Sequence, residues 1–142
     1  MVKKTRFGNM PCAIAQSLDI IGEWWSMLII REAFYGTRRF GDFEARLGIA
    51  RNILTARLAT LTEHGILRRV PDRDGSKYME YELTDMGREL RPVLLAIGLW
   101  GNKWLRGKEV TTKDLLENIR REREARGADT RPAKTAGRRK QA

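Results

Sequence analysis

The chain holds a single cysteine, Cys12, and a single histidine, His64, among 142 residues. No internal disulfide can form, and too few soft ligands exist for a structural zinc site, so no metal is expected. Long apolar runs are missing as well. The longest, Met27 to Ile30 and Val93 to Ile97, fall far short of the roughly 18 to 20 residues of a membrane span. Lys3, Lys4 and Arg6 make the amino end basic, yet no apolar stretch of signal-peptide length follows them. A cytoplasmic protein without membrane attachment is the expectation. The chain also lacks a nucleophile elbow, a phosphate loop, a Ser-x-x-Lys pair and a second histidine, so it has no recognisable catalytic centre. Neither enzymatic activity nor a cofactor is expected.

Positive charge is abundant. Lysine and arginine total 28 against 18 acidic residues, a formal charge of +10. Such a surface suits a polyanion, with nucleic acid as the first candidate. The excess is divided: residues 1–107 carry 17 basic and 12 acidic side chains, and residues 108–142 carry 11 and 6. Half of it therefore sits in the last quarter of the chain, where apolar residues are scarce. The length suits one compact domain plus a tail.

Hydrophobic spacing predicts a mainly helical domain. Ile14, Leu18 and Ile21 form the stripe of a short helix over residues 12–21, with Pro11 at its first turn. Trp24 to Phe34 is apolar nearly all round and reads as the central core helix, with Gly36 as its cap. Phe40, Phe43 and Leu47 mark a third helix ended by Gly48, and Leu54, Leu58 and Leu61 mark a fourth over residues 50–64. These two short helices around a glycine-containing turn make a helix-turn-helix pattern. The period then changes: residues 66–70 and 78–83 are rich in strand formers, and Asp74-Gly75 between them signals a hairpin turn. A helix from Thr84 to about Gly107 comes next, carrying Leu90, Leu94, Ile97, Trp100 and Trp104, with a kink or later start available at Pro92. Leu115, Leu116 and Ile119 support one more helix from Thr111.

Helices, a helix-turn-helix, a hairpin and a closing helix form the winged helix-turn-helix order, a mainly α fold with a small β-hairpin wing. Specific residues sharpen this. Gly22 and Trp25 within Cys12 to Trp25, then Arg39-Phe40, Leu54, Arg57-Leu58, Gly65 and Leu83-Thr84 follow one spaced pattern over about residues 10–106. In that pattern the chain resembles the HxlR-type winged-helix transcriptional regulators, relatives of the MarR-like repressors. The resemblance implies a homodimer that binds double-stranded DNA at a near-palindromic operator, as repressor or activator, with a small molecule or an oxidant as possible effector. The expected division is a DNA-binding and dimerisation domain at 1–107, a helical extension at 108–126 and a basic, disordered tail at 127–142.

On the fourth helix the leucine stripe defines the buried side. Asn52, Thr55, Ala56 and Ala59 point away from it, with Arg51 and Arg57 on the flanks. Asn52 suits a bidentate pair with adenine, Arg51 a guanine or phosphate, and Thr55 a base or phosphate oxygen, while small Ala56 permits close approach. A solvated helix face is the competing reading. Where the family often has serine, this chain has Ala50, which removes the usual helix cap. Arg73 and Lys77 at the hairpin tip are candidate phosphate contacts, beside Arg68 and Arg69. Arg38 and Arg39 are candidate backbone anchors, although Arg39 also suits an ion pair with Asp42 or Glu44 inside the fold.

Cys12 aligns with the cysteine some relatives use to sense oxidants, and it sits in a first turn behind three cations, a setting that favours thiol reactivity. Ala13 replaces the proline usual after it, and any disulfide would have to cross a dimer or use a small thiol. A structural cysteine is the alternative. Trp24, Trp25, Leu94, Ile97, Trp100 and Trp104 are candidates for a dimer interface or a ligand pocket. Two further readings remain open: a non-specific nucleic-acid binder driven by the basic tail, and a thiol redox protein acting through Cys12.

Overall fold

A computed structural model describes residues 8–72, 74–75 and 77–127. Arg73 and the segment 128–142, which contains nearly all of the expected tail, lie outside the described residues. The elements are α1 (Ala13–Ile21), α2 (Trp24–Phe34), α3 (Phe40–Leu47), α4 (Arg51–Glu63), β1 (Leu67–Pro71), β2 (Met79–Leu83), α5 (Asp85–Arg88), α6 (Arg91–Leu105) and α7 (Thr112–Ala125). This is a winged helix-turn-helix.

α2 occupies the centre, packing against α1, α3, α4, α6 and β2. Its Ile29 and Ile30 are wholly buried together with Phe43 of α3 and Leu54, Leu58 and Leu61 of α4. Each such side chain contributes roughly 1.5–3 kcal/mol by leaving water, so the leucine stripe clamps α4 and leaves its opposite side facing outward. Between α3 and α4, Gly48 takes a left-handed φ of 63°, a conformation costly for other residues. Ile49 then drops into the core. Ala50 caps α4 without any side-chain hydrogen bond, leaving the first amides of that helix open.

β1 and β2 pair antiparallel from Leu67 opposite Leu83 to Pro71 opposite Met79, one residue later at each start than the composition suggested. β2 is flanked on its other edge too: Arg39 bridges to Glu80, and the Tyr81 amide donates to the Arg38 carbonyl at 2.8 Å. The entrance to α3 therefore acts as a third, minimal strand. The single helix expected after Thr84 is divided in two. Thr84 caps α5 by accepting from the Gly87 amide at 3.0 Å, and α6 restarts at Arg91 with Pro92 in its first positions. The proline ring would collide with the carbonyl four residues earlier, so the helix cannot run through. At Gly87 an added Cβ would lie 2.2 Å from the Ile66 carbonyl oxygen, which explains the glycine by close approach of α5 to the start of the hairpin.

α7 opens with a capping box between Thr111 and Asp114 and returns to α2. Arg126 Nη1 donates to Glu32 Oε1 at 2.6 Å, and Arg123 Nη1 donates to the Phe34 carbonyl at 3.0 Å. Glu32 is 1% exposed and also accepts from the Thr37 hydroxyl at 3.0 Å. Residues 112–126 are thus tied to the end of the central helix rather than projecting from the body.

Candidate nucleic-acid interface

The outward side of α4 gathers most of the residues singled out there. Arg51, Asn52, Thr55, Ala56 and Ala59 are all exposed. Arg51 stacks over the Phe40 ring, 4.8 Å from its centroid, and reaches Glu44 at 3.3 Å, so α3 aims the guanidinium while leaving most of it in solvent. The Thr55 hydroxyl donates to the Arg51 carbonyl at 2.9 Å, which leaves its oxygen lone pairs outward. The first turn of α4 therefore presents an amide side chain, a guanidinium and a hydroxyl beside small alanines. α4 is the second helix of the pair, the one that in helix-turn-helix proteins lies in the major groove with its first residues at base edges.

Arg57 is placed elsewhere. Its Nε lies 2.7 Å from Glu23 Oε2 at the start of α2, and both side chains are mostly covered. Position 57 is three residues after Leu54 and four before Leu61, so it belongs to the buried stripe. That spacing was the signal available in the sequence; the charge concealed it.

Arg38 and Arg39 are likewise committed inside the fold, though not to Asp42 or Glu44. Arg38 holds Glu80 at 3.0 Å and Glu82 at 2.9 Å. Arg39 holds Asp72 at 2.5 Å and Asp74 at 3.1 Å. Asp72 is 1% exposed and also accepts from the Asp74 amide at 3.1 Å, forming the turn that shapes the wing tip. Hydrogen bonding to Asp72 holds the Arg39 guanidinium more firmly protonated than usual, against a smaller effect of burial. These two arginines fasten the wing to the entrance of α3. In the sequence Asp74 was visible as half of the Asp74-Gly75 turn signal, and nothing marked Asp72 as the partner of Arg39.

On the wing, Lys77 is exposed with its ammonium 5.7 Å from the Tyr78 ring centroid, and Arg69 stacks on Tyr81 at 5.8 Å. Arg68 meets Glu82 at 2.6 Å. Burial raises the Glu82 pKa, but hydrogen bonds and charge from Arg38 and Arg68 outweigh it and hold the carboxyl below its ordinary value. A carboxylate with a depressed folded-state pKa adds stability above its unfolded pKa and loses that contribution as pH falls through the folded value. Thermal melting of the wild-type chain should therefore decline below about pH 4, and Glu82→Gln should flatten that decline; identical pH profiles would show that the carboxylate does not tie the sheet.

The tryptophan set splits in two. Trp25 and Leu94 pack against the core, whereas Trp24 is 77% exposed, Trp100 60% and Trp104 67%. Val93, Ile97, Trp100 and Trp104 form an outward stripe along α6, and Ile14 and Leu18 do the same on α1. Cys12 is a free, exposed thiol at the cap position of α1, one residue before the first helical turn, with no side-chain cap bond. Among the described residues no group of three or more His, Cys, Asp or Glu is placed to hold a metal, and no described helix is long and apolar enough to cross a membrane.

Comparison with known proteins gives a consistent picture. The profile of the HxlR-like helix-turn-helix family matches residues 20–109. The chain is 41% identical over 93 residues to Rv3095 of Mycobacterium tuberculosis, named as an uncharacterized HTH-type transcriptional regulator, a match covering 66% of this chain and 59% of that protein. It thus spans about three fifths of the length of that relative. Among solved structures it is similar to PA1607, described as a candidate transcription factor, with a TM-score of 0.67, 49% identity and 70% of each chain covered. It is also similar to the redox regulator HypR in its oxidized form, with a TM-score of 0.59 and 31% identity over 65% of this chain and 96% of that one. With the profile spanning α2 through α6 and the helix-turn-helix and wing in place, the chain belongs to the HxlR-like helix-turn-helix family.

Proposed function

We propose that the protein is a transcriptional regulator that binds duplex DNA sequence-specifically as a homodimer on a near-palindromic operator. The observation that carries this reading is the outward side of α4, where Arg51, Asn52 and Thr55 stand at the exposed start of the second helix of the pair. The wing adds exposed Arg69 and Lys77 as phosphate contacts, and Arg73 is assigned the same role. Arg38 and Arg39 act in this reading by holding the wing in position. Dimerisation is supported by the exposed apolar stripes on α1 and α6, the latter carrying two exposed tryptophans, since large exposed apolar patches mark interfaces. Two-fold pairing would set the two α4 helices about 34 Å apart, one turn of DNA.

Anisotropy titration of the purified chain tests this, using the DNA upstream of its own gene against random duplex across a salt series. Tighter binding to the upstream DNA with a preserved ratio at higher salt is the expected result. Equal affinity for both duplexes would overturn it in favour of non-specific binding driven by the basic charge.

An oxidant-responsive version is favoured by the exposure of Cys12 and by the likeness to HypR. With no second cysteine in the chain, oxidation would join Cys12 to the partner's copy or to a small thiol. Peroxide should release the wild type from its operator and leave Cys12→Ser bound; release of both proteins alike would assign the cysteine a structural role.

A further inference from the structure

We propose that the cleft enclosed by α2, α6 and α7 binds a small organic carboxylate with an apolar, ring-sized body. The cleft has a volume of about 390 Å³, within the range of small-molecule sites. Its walls are mainly apolar, with Met27 from α2, Ile97 from α6, and Leu115 and Ile119 from α7. Two guanidiniums, Arg31 and Arg106, line it, and no carboxylate does. An apolar cleft with two cations and no anion is complementary to a ligand that is apolar at one end and negative at the other.

The state of the two arginines strengthens this. Arg31 Nη2 makes a long contact, 3.3 Å, to Glu32, and its guanidinium lies 5.7 Å from the Tyr35 ring centroid. That carboxylate already serves Arg126 and Thr37. Arg31 Nε is buried without any hydrogen-bond partner. A buried donor left unpaired is costly, so this guanidinium has hydrogen-bonding capacity unspent within the fold. Among the described residues the Arg106 side chain reaches Asn102 at 3.5 Å, and it is exposed, so it can close over the same anion. The cleft on the other side of α7 is also lined by arginines, but it contains the Glu82 carboxylate, and Arg38, Arg88 and Arg123 there are taken by Glu82, the Leu83 carbonyl and the Phe34 carbonyl, while Arg91 there is exposed. Leu115 and Ile119 lie beyond residue 109, where the family profile ends.

The proposal stands apart from the DNA reading, and its test contains no DNA. Isothermal titration calorimetry of the full chain is performed with 2-naphthoate and with 2-naphthamide, which keeps the shape and removes the charge. Charge-assisted pairing predicts that the acid binds about tenfold or more tighter than the amide. Arg31→Met should bring the two ligands to equal affinity, and Arg106→Met, at an exposed position, should reduce the ratio without affecting the fold, with circular dichroism confirming folding of both variants. Equal affinities in the wild type, no binding of either ligand because a second copy fills the cleft, or an acid preference that survives both substitutions would overturn the proposal.

Discussion

Asn52→Ala is expected to lower affinity for the upstream DNA by about five- to a hundredfold and to leave affinity for random duplex unchanged. The magnitude is that of one bidentate base contact, roughly 1–3 kcal/mol. Asn52 is the second residue of α4, exposed, and its amide offers a paired donor and acceptor that match adenine. Because the side chain lies opposite the buried stripe of Leu54, Leu58 and Leu61, its removal opens no cavity and should leave the melting temperature within a degree or so, as expected for an exposed site. The same loss on both duplexes would identify Asn52 as a backbone contact. No loss on either would remove this side of α4 from the interface altogether. The comparison is therefore made at matched salt, with the ratio of the two affinities as the quantity that decides.

Arg39→Met is the second large effect, and here two readings of one residue give different results. If Arg39 holds the wing, its loss removes a guanidinium that pairs with the nearly inaccessible Asp72 carboxylate. Breaking a buried pair from one side costs about 3–5 kcal/mol. Arg39 is itself 42% exposed, so water screens part of this and about 2 kcal/mol is the better expectation. DNA affinity then falls because the wing and its phosphate contacts are displaced, and thermal stability falls with it. If Arg39 instead neutralises a phosphate, the slope of log affinity against log salt falls by about 1 and thermal stability hardly changes. Adding Asp72→Asn to Arg39→Met should recover part of the lost stability, since the buried charge is then gone; a strictly additive double mutant would separate the two residues energetically.

The contacts of α7 decide where the chain can be cut. Composition places the end of the folded domain near Gly107 and makes residues 108–126 a mere extension. The contacts of Arg123 and Arg126 with the end of α2 mean that a cut at Gly107 would strip Glu32 of a guanidinium at 2.6 Å. Such a variant would confuse loss of charge with loss of stability. Cutting after Gly127 retains α7 and removes only the basic terminal segment, so it isolates the non-specific contribution to DNA binding.

Much of the architecture is legible along the chain because it depends on local pattern. The 3–4 spacing of Leu54, Leu58 and Leu61, the left-handed glycine at 48, and Asp74-Gly75 between two strand-forming runs each act within a few residues. Hydrophobic burial then leaves one way to assemble them. The outward set Asn52, Thr55, Ala56 and Ala59 follows from the same periodicity, since a helix with one side in the core must present the other to solvent. Pro92 marked a possible break and produced one.

Charged side chains obey no such rule. Arg39 and Asp72 are separated by 33 positions and Arg126 and Glu32 by 94, and no periodicity relates them. A long guanidinium side chain can reach a carboxylate or remain in water at nearly the same cost at the surface; burial of the acid decides between these. That burial exists only once α2, the hairpin and α7 have packed. Thus the sequence did not separate Arg38 and Arg39 from Arg51 as outward cations, and tertiary packing turned the first two to Glu80 and Asp72 while leaving Arg51 stacked on Phe40 and facing outward; Arg57 alone carried a signal in its spacing. The same closure made the cleft beside α7, whose two cations come from positions 31 and 106 and meet only because the last helix returns to the central one.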